Sequence, residues 1–550
     1  MIIFASLCKQ DFYLFMKNYL FSLSLVFFAN HLLSQTVEQG INAIQNERFN
    51  QAKSILKNSM GSNSDASYHL GKLYYSLGNA DSARIVFEKG ISLNPKAPGN
   101  YVGLGLLALD NNKPEEAKKQ FEIAMACLSS KDAKAPLMVG EAYSMAKNKD
   151  LNLAISYLTK ATNLDKKNYD AHVALGNAQI QKPDGGGAAM TAYETAISID
   201  PSKPLAYLKK GDLWFDAKSY DNSIESYKTG RDKDSTFAPF HRELGEIYYL
   251  VKRYDLAVKS YEKFLTLTEP KTEYKTRMAY FYFFNKQYDK VEVLINTIKK
   301  EDPTNNILNR ILGYSLVEQG KNAEALNYLK EFFTKVEAKK ILPSDYEYLG
   351  KAYLKSGNDS LAEWNLVKTV QMDSSKVDLL VDLAKSYSDK KLHAKAANVY
   401  KTKVKFPKAK STDWFQLGRS NYLAFQSSKT DTMLLIRADS AFMKVIEMSP
   451  NVHLGYFWRG ATNSILDSKL KTMAAVAFYE KVIEIASADK VKNGKDLLIA
   501  LKYMGYVNIQ KDDLLKAKEM YEKAIEIAPD DAEAKKYLEN VNSSLKSKGK

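Results

Sequence analysis

At 550 residues the chain is longer than one compact core sustains, so it is either several domains or one open-ended repeat array. Hydrophobic residues make up 45% and charged residues 26%, and 26 Gly with 14 Pro are too few for long linkers, which excludes a mostly disordered chain. The formal charge of +15 is carried largely by Lys interspersed with Glu, as over 516–526; that is a solvated helix face, and it argues against nucleic acid as a partner. Only Lys546, Lys548 and Lys550 make a purely basic end.

In chain order, the first element is apolar. Met16 and Lys17 precede a nearly uninterrupted hydrophobic stretch from Tyr19 to Ala29, after which the composition turns polar through Ser34 and Gln35. This reads as a secretory signal peptide within 1–35, initiated at Met16 and cut after Ser34. The stretch falls short of the roughly 20 residues of a membrane span, so a mature chain without a span is expected. The alternative is an uncleaved inner-membrane signal anchor. Of the two cysteines, Cys8 lies upstream of Met16, which leaves Cys127 alone and rules out an internal disulfide in the mature chain. The expected location is the periplasm or the outer membrane of a bacterium.

From residue 36 onward the chain is periodic. Gly505 is followed at 12, 16, 19 and 24 positions by Ala517, Tyr521, Ala524 and Pro529, and Gly71 by Ala83, Phe87, Gly90 and Pro95. The same template places first-helix landmarks at Gly40, Gly71, Gly105, Ala142, Gly176, Gly211, Gly245, Ala279, Gly313, Gly350, Ala384, Gly418, Gly460 and Gly505, many of them 34 residues apart. A small residue at the landmark and an Ala early in the next helix let two antiparallel helices approach closely. A large residue such as Phe87, Tyr227 or Phe442 then fills the remaining space.

This pattern, with Leu70-Gly71-Lys72-Leu73-Tyr74 and Leu349-Gly350-Lys351-Ala352-Tyr353 as its core, resembles the tetratricopeptide repeat family over about residues 36–530. The resemblance implies an all-α fold: a right-handed α-solenoid of about fourteen 34-residue helix-turn-helix repeats. Repeats 1–9 are expected over 36–335 and repeats 10–14, with longer loops, over 346–530. A capping helix and the basic tail occupy 531–550. Insertions at 182–187, 338–345, 426–433, 464–471 and 486–494 mark the lengthened connections.

No constellation of residues signals chemistry. His69, His172, His241, His393 and His453 fall in different repeats without metal-pair spacing. Asp184-Gly185-Gly186-Gly187 lacks the Lys-Ser that follows a phosphate-cradling loop. No catalytic residue, metal or cofactor is therefore expected. The clamp that chaperone-docking members of the family use is not expected either, because Asn177 is present but Val173 stands where its Lys would be.

The resemblance also implies that the first helix of each repeat lines a concave groove, with the residues three before and one, four and five after the landmark pointing inward. Those positions include Tyr68, Lys72, Val102 and Leu106 early on, and Glu318, Glu347, Lys351, Lys355, Lys385 and Asp389 later. In the eighth repeat, Tyr280-Phe281-Tyr282-Phe283-Phe284 spreads aromatics around a helix at about 100° per residue, more than one buried face absorbs. Phe215, Arg242, Tyr249, Tyr280, Phe283, Phe284, Arg310 and Tyr314 are the candidate partner-binding residues, an aromatic floor with a basic rim. The alternative is that the aromatics pack into the neighbouring repeat. The expected function is a non-enzymatic scaffold of the bacterial envelope that holds a protein or peptide. A glycan- or cell-wall-binding protein and a regulatory subunit of an enzyme complex are the alternatives. Nothing in the residues sets an oligomeric state.

Overall fold

The computed structural model describes residues 36–549; the signal-peptide reading of 1–35 and Cys8 lie outside them. A helix over 36–45 is followed by 28 α-helices, from Phe49–Ser59 to Ala532–Ser547, among the described residues. Successive helices pair as helix-turn-helix units, so the fold is an all-α solenoid of the tetratricopeptide type.

Each pair forms for local reasons. Asn63 accepts a hydrogen bond from the Asp65 N–H ahead of helix Ser64–Ser76, and Asn79 accepts one from Ser82 ahead of helix Ala80–Leu93; these caps satisfy orphan donors of the first turn. Between the two helices the chain reverses through one left-handed residue. Glu47, Gly78, Asn112, Lys218, Lys252, Lys286, Gly320, Gly357, Lys391 and Asp512, each seven residues after a landmark, all have positive φ. The rule fails at Lys149 in the fourth repeat, and where the sequence has insertions the left-handed residues are instead Asp184, Lys429, Leu470 and Met473. Landmark and plug meet as their spacing predicts: a β-carbon at Gly71 would overlap the Phe87 ring, and one at Gly211 the Tyr227 ring. Glycine is required there by close approach, not by its backbone angles.

The chain divides into two compact units, one through Thr304 and one from Asn305. The sequence reading drew its line later, at the long connection 336–345. In the structure that stretch contains a short 3-10 turn, Ala338–Lys340, whose Lys340 carbonyl accepts from Arg310 Nη2 at 2.5 Å. The connection is thus built into the second unit. In the first unit Phe87, Phe121 and Leu158 belong to one continuous core between the paired helices. In the second, Tyr479, Leu501 and Tyr521 do the same, and the last helix covers that core with Ala534, Val541 and Leu545.

Candidate protein-binding grooves

In the first unit the face formed by first helices is closed in two places. Helix Pro98–Asp110 is apolar almost all round and buries Val102, Leu106 and Leu109. Gly99 and Gly103 leave room for Tyr68 and Phe87 against its backbone. Two flanking first helices then meet over it: Lys72 Nζ lies 3.0 Å from Glu141, and the Tyr75 hydroxyl donates to Asp110 (3.0 Å) and to the Met145 carbonyl (3.3 Å). Burial pushes the Tyr68 phenol up to about 12 and the His69 imidazole down to about 4. The space left among these side chains is about 10 Å³, room for about one water at most. Tyr68, Val102 and Leu106, read from the sequence as groove residues, are buried, and Lys72, read the same way, is tied up in the pair that covers them.

A second closure joins the first repeat to the seventh and eighth. Arg242 donates to Glu47 and, through Nε at 2.9 Å, to Glu243, while the Tyr274 hydroxyl donates to Glu47 as well. Asn46 Oδ1 accepts from the buried Ala238 N–H at 2.7 Å. The Glu269 carboxylate caps helix Phe49–Ser59 by accepting from the Asn50 and Gln51 N–H groups at 3.0 and 2.8 Å, where the positive end of the helix dipole favours it. Burial works against the Arg242 charge, and Glu243 and Glu47 more than offset it, so its pKa rises. Arg242 is tied into this closure and offers no free basic rim.

The aromatic run divides. Phe281 is buried against Tyr261 (ring centroids 4.9 Å) and stacks on Tyr249 (5.2 Å), whose ring Arg277 also covers at 4.6 Å. Phe283 is buried, Tyr280 half-buried, and Tyr282 donates to Glu262 at 2.8 Å. Phe284 remains 38% exposed beside Tyr249 and Tyr254. Packing into the neighbouring repeat therefore accounts for part of the run, and Phe284 for its surface part. Phe215 is also exposed, next to Tyr220.

Arg310 and Tyr314 belong to the second unit. There Asp345, wholly buried, accepts from Arg310 Nε and Nη2 (2.7 and 2.9 Å), from the Tyr314 hydroxyl (2.6 Å) and from the Leu342 N–H (2.6 Å). Tyr314 stacks on Tyr348 at 4.0 Å. The two sequence candidates thus lock helix Leu308–Glu318 to helix Pro343–Lys355. Asp413 repeats the device five residues before its own landmark: it accepts from the buried Lys403 Nζ at 2.6 Å and from the Lys410 N–H at 2.8 Å. The recurrence of Asp at that offset is a sequence signal that a landmark search alone passes over.

An open groove of about 770 Å³ lies between helices Leu308–Glu318, Pro343–Lys355 and Leu379–Asp389. Leu354 and Leu379 contribute apolar surface, and Lys351, Lys355, Asp382, Lys385 and Asp389 line it with both signs of charge. Lys351 is paired with Glu347 at 2.6 Å, and Tyr348 donates to Glu318 at 3.1 Å. Lys355, Asp382, Lys385 and Asp389 are exposed, and among the described residues none is held in an ion pair. Glu318, Lys351, Lys355, Lys385 and Asp389 are groove positions the sequence had identified; Asp382 and Ser386 were missed because the landmark rule does not select their offsets.

Paired helices that stack through small landmarks and present a groove on their first-helix face define a helical-hairpin repeat scaffold. The Tetratricopeptide repeat family model matches residues 64–96, 243–270 and 504–531. Protein CTR9 homolog of Arabidopsis thaliana is 24% identical over 170 residues, which are 29% of this chain and only 15% of that relative's length. Among solved structures, the C-terminal part of a TPR repeat-containing protein of Cytophaga hutchinsonii is 26% identical, covering 48% of this chain and 99% of that one, with a TM-score of 0.36. A tetratricopeptide repeat protein of Parabacteroides merdae is 19% identical over 46% of this chain and 98% of its own (TM-score 0.32). Yeast Tom70 is 13% identical over 74% and 98% (TM-score 0.29). No helix among the described residues is long and apolar enough to cross a membrane.

Proposed function

We propose that the protein is a non-enzymatic scaffold of the bacterial envelope, and that the groove of its second unit holds an extended protein segment carrying both acidic and basic side chains. The observation that carries this reading is the set of exposed, unpaired Lys355, Asp382, Lys385 and Asp389 on helices already ordered, two of them joined by the buried Arg310–Asp345 pair. A receptor ordered in advance loses little entropy on binding, so modest contacts yield useful affinity. The envelope assignment rests on the apolar stretch Tyr19 to Ala29.

A photo-crosslinking residue placed at Ser386 should give discrete adducts with a protein in the envelope fraction. Lys385→Glu combined with Asp389→Lys should abolish them while leaving circular dichroism unchanged; adducts that persist would remove the groove from the proposal. N-terminal sequencing of the exported protein should begin at Gln35. Exposed Phe284 beside Tyr249 and Tyr254 favours a second reading, sugar stacking in the first unit. Retention of purified protein on peptidoglycan, lost in Phe284→Ala, supports that reading.

A further inference from the structure

The second-helix face of the later unit holds a cleft that the groove proposal does not use. It measures about 320 Å³ and lies between helices His393–Lys403 and Thr432–Met448, over helix Ser411–Ser428. Trp414, Leu417 and Ala441 give it an apolar floor, while Ile436 and Met443 line it and stay 45% and 40% exposed. Three cations, Lys401, Arg437 and Lys444, also line it, with no carboxylate among the lining residues. This departs from the interspersed Lys and Glu of an ordinary solvated helix. Lys444 does meet Glu447 at 2.6 Å, but both are about half exposed (44% and 49%), and such a pair is too screened to resist a competing carboxylate.

The corresponding cleft in the first unit, between helices Gly186–Ile199 and Tyr220–Lys233, is similar in size at about 340 Å³ and also has apolar walls, Ile197 and Trp214 among them, but differs in charge. Glu194 and Glu225 line it, and its Lys210 is tied to Glu194 at 2.8 Å. A cleft between second helices is therefore a product of the repeat, but the basic version is a property of this sequence.

Along helix Thr432–Met448, Met433, Ile436, Ser440 and Met443 follow at helical spacing and form one stripe about 15 Å long. Arg437 and Lys444 run beside it, one heptad apart. An apolar stripe flanked by a basic one is the complement of an amphipathic helix with acidic flanks, and methionine adapts its shape to such a partner. A membrane surface fits less well, because insertion needs apolar side chains that project, whereas the largest one here, Trp414, lies half-buried at the floor.

We propose that this cleft docks an acidic amphipathic helix of a protein partner, one apolar side chain seated over Trp414 and its carboxylates on Lys401, Arg437 and Lys444. The proposal goes beyond the groove reading and stands without it.

The test is a fluorescence-anisotropy titration of the full chain with a labelled, designed 18-residue helix that has Leu and Phe on one face and Glu on the other. The expected result is saturable binding that weakens several-fold between 50 and 200 mM salt and at least tenfold in Arg437→Gln/Lys444→Gln, a variant chosen to preserve the fold and checked by circular dichroism. Met443→Ser should weaken it independently, and Lys355→Glu/Lys385→Glu in the groove should leave it unchanged. The same peptide with Lys replacing Glu should not bind. No saturable binding, or equal affinity for the wild type and the Arg437/Lys444 variant, overturns the proposal. So does co-sedimentation with phosphatidylglycerol vesicles that those two residues control when the peptide does not bind.

Discussion

The two units put their charged side chains to opposite uses on the same repeat geometry. In the first, ion pairs bridge across the first-helix face: Lys72 reaches Glu141 two repeats away, and Arg242 reaches Glu47 of the first repeat. In the second, the buried carboxylates Asp345 and Asp413 collect Arg310, Tyr314 and Lys403 between adjacent repeats, while Lys355, Asp382, Lys385 and Asp389 stay exposed and, among the described residues, outside any ion pair. A solenoid does not provide a groove merely by being a solenoid. Availability depends on whether the charges on that face are already paired, and the difference lies in side chains at positions that the repeat pattern leaves variable.

The strongest way to break this contrast is to remove a support. Asp345→Ala leaves the Arg310 guanidinium, only 11% exposed, and the Tyr314 hydroxyl without their shared acceptor. Breaking a buried pair in this way costs about 3–5 kcal/mol. Urea unfolding should show that loss for the second unit, with hydrogen exchange of helices Leu308–Glu318 and Pro343–Lys355 rising together. A loss below about 1 kcal/mol would show that the groove does not depend on the buried carboxylate.

The converse is to open the closed face. Glu47→Gln removes the charge that Arg242 and Tyr274 share, an expected cost of about 1–3 kcal/mol. Amide exchange over 36–60 and 238–274 should quicken in this variant, while the rest of the first unit keeps its protection. Unchanged exchange in both segments would mean that Asn46 and Glu269 suffice to hold the first repeat in place.

The sequence made the helical hairpins legible because they depend on residues a fixed distance apart. Gly71 and Phe87, or Gly211 and Tyr227, are sixteen positions apart and touch. Groove residues that follow the landmark offset, such as Lys355 and Lys385, were legible for the same reason. The closure was not: Glu47 and Arg242 are 195 residues apart, and no local spacing signals a contact that depends on how many repeats intervene. Nor could the aromatic run be apportioned, since which of Phe281 and Phe284 is buried depends on rings distant in sequence, Tyr261 against the first and Tyr254 beside the second.

A pH titration sharpens the contrast at smaller amplitude. Burial opposes the Glu347 charge, but hydrogen bonds from Lys351 and Lys376 outweigh it, so its folded pKa is depressed. The sign follows from linkage: the stabilisation is fully present above the unfolded carboxyl value of about 4.3 and is lost as pH falls through the folded value. Because both lysines are about a third exposed, Glu347→Gln should cost about 1–2 kcal/mol at pH 7. Chemical denaturation of both proteins at pH 7, 5 and 3 should show the difference holding at the first two and shrinking at the last; a gap that widens on acidification contradicts the assignment.

The smallest effect bears on the geometry that both units share. Lys252 in the first unit and Lys391 in the second sit in the left-handed turn position, with φ of 62° and 59°, where other repeats have Gly78, Gly320 and Gly357. An L-residue with a β-carbon is strained there by about 1 kcal/mol, while glycine gains unfolded-state entropy that offsets part of the relief. Lys252→Gly and Lys391→Gly should therefore each stabilise the protein by up to about 0.5–1 kcal/mol. Equal gains in the two units, measured by urea midpoint, would show that the hairpin turn is the same mechanical element in both and that their contrast arises from the faces alone. A gain confined to one unit would place part of the difference in the turn itself.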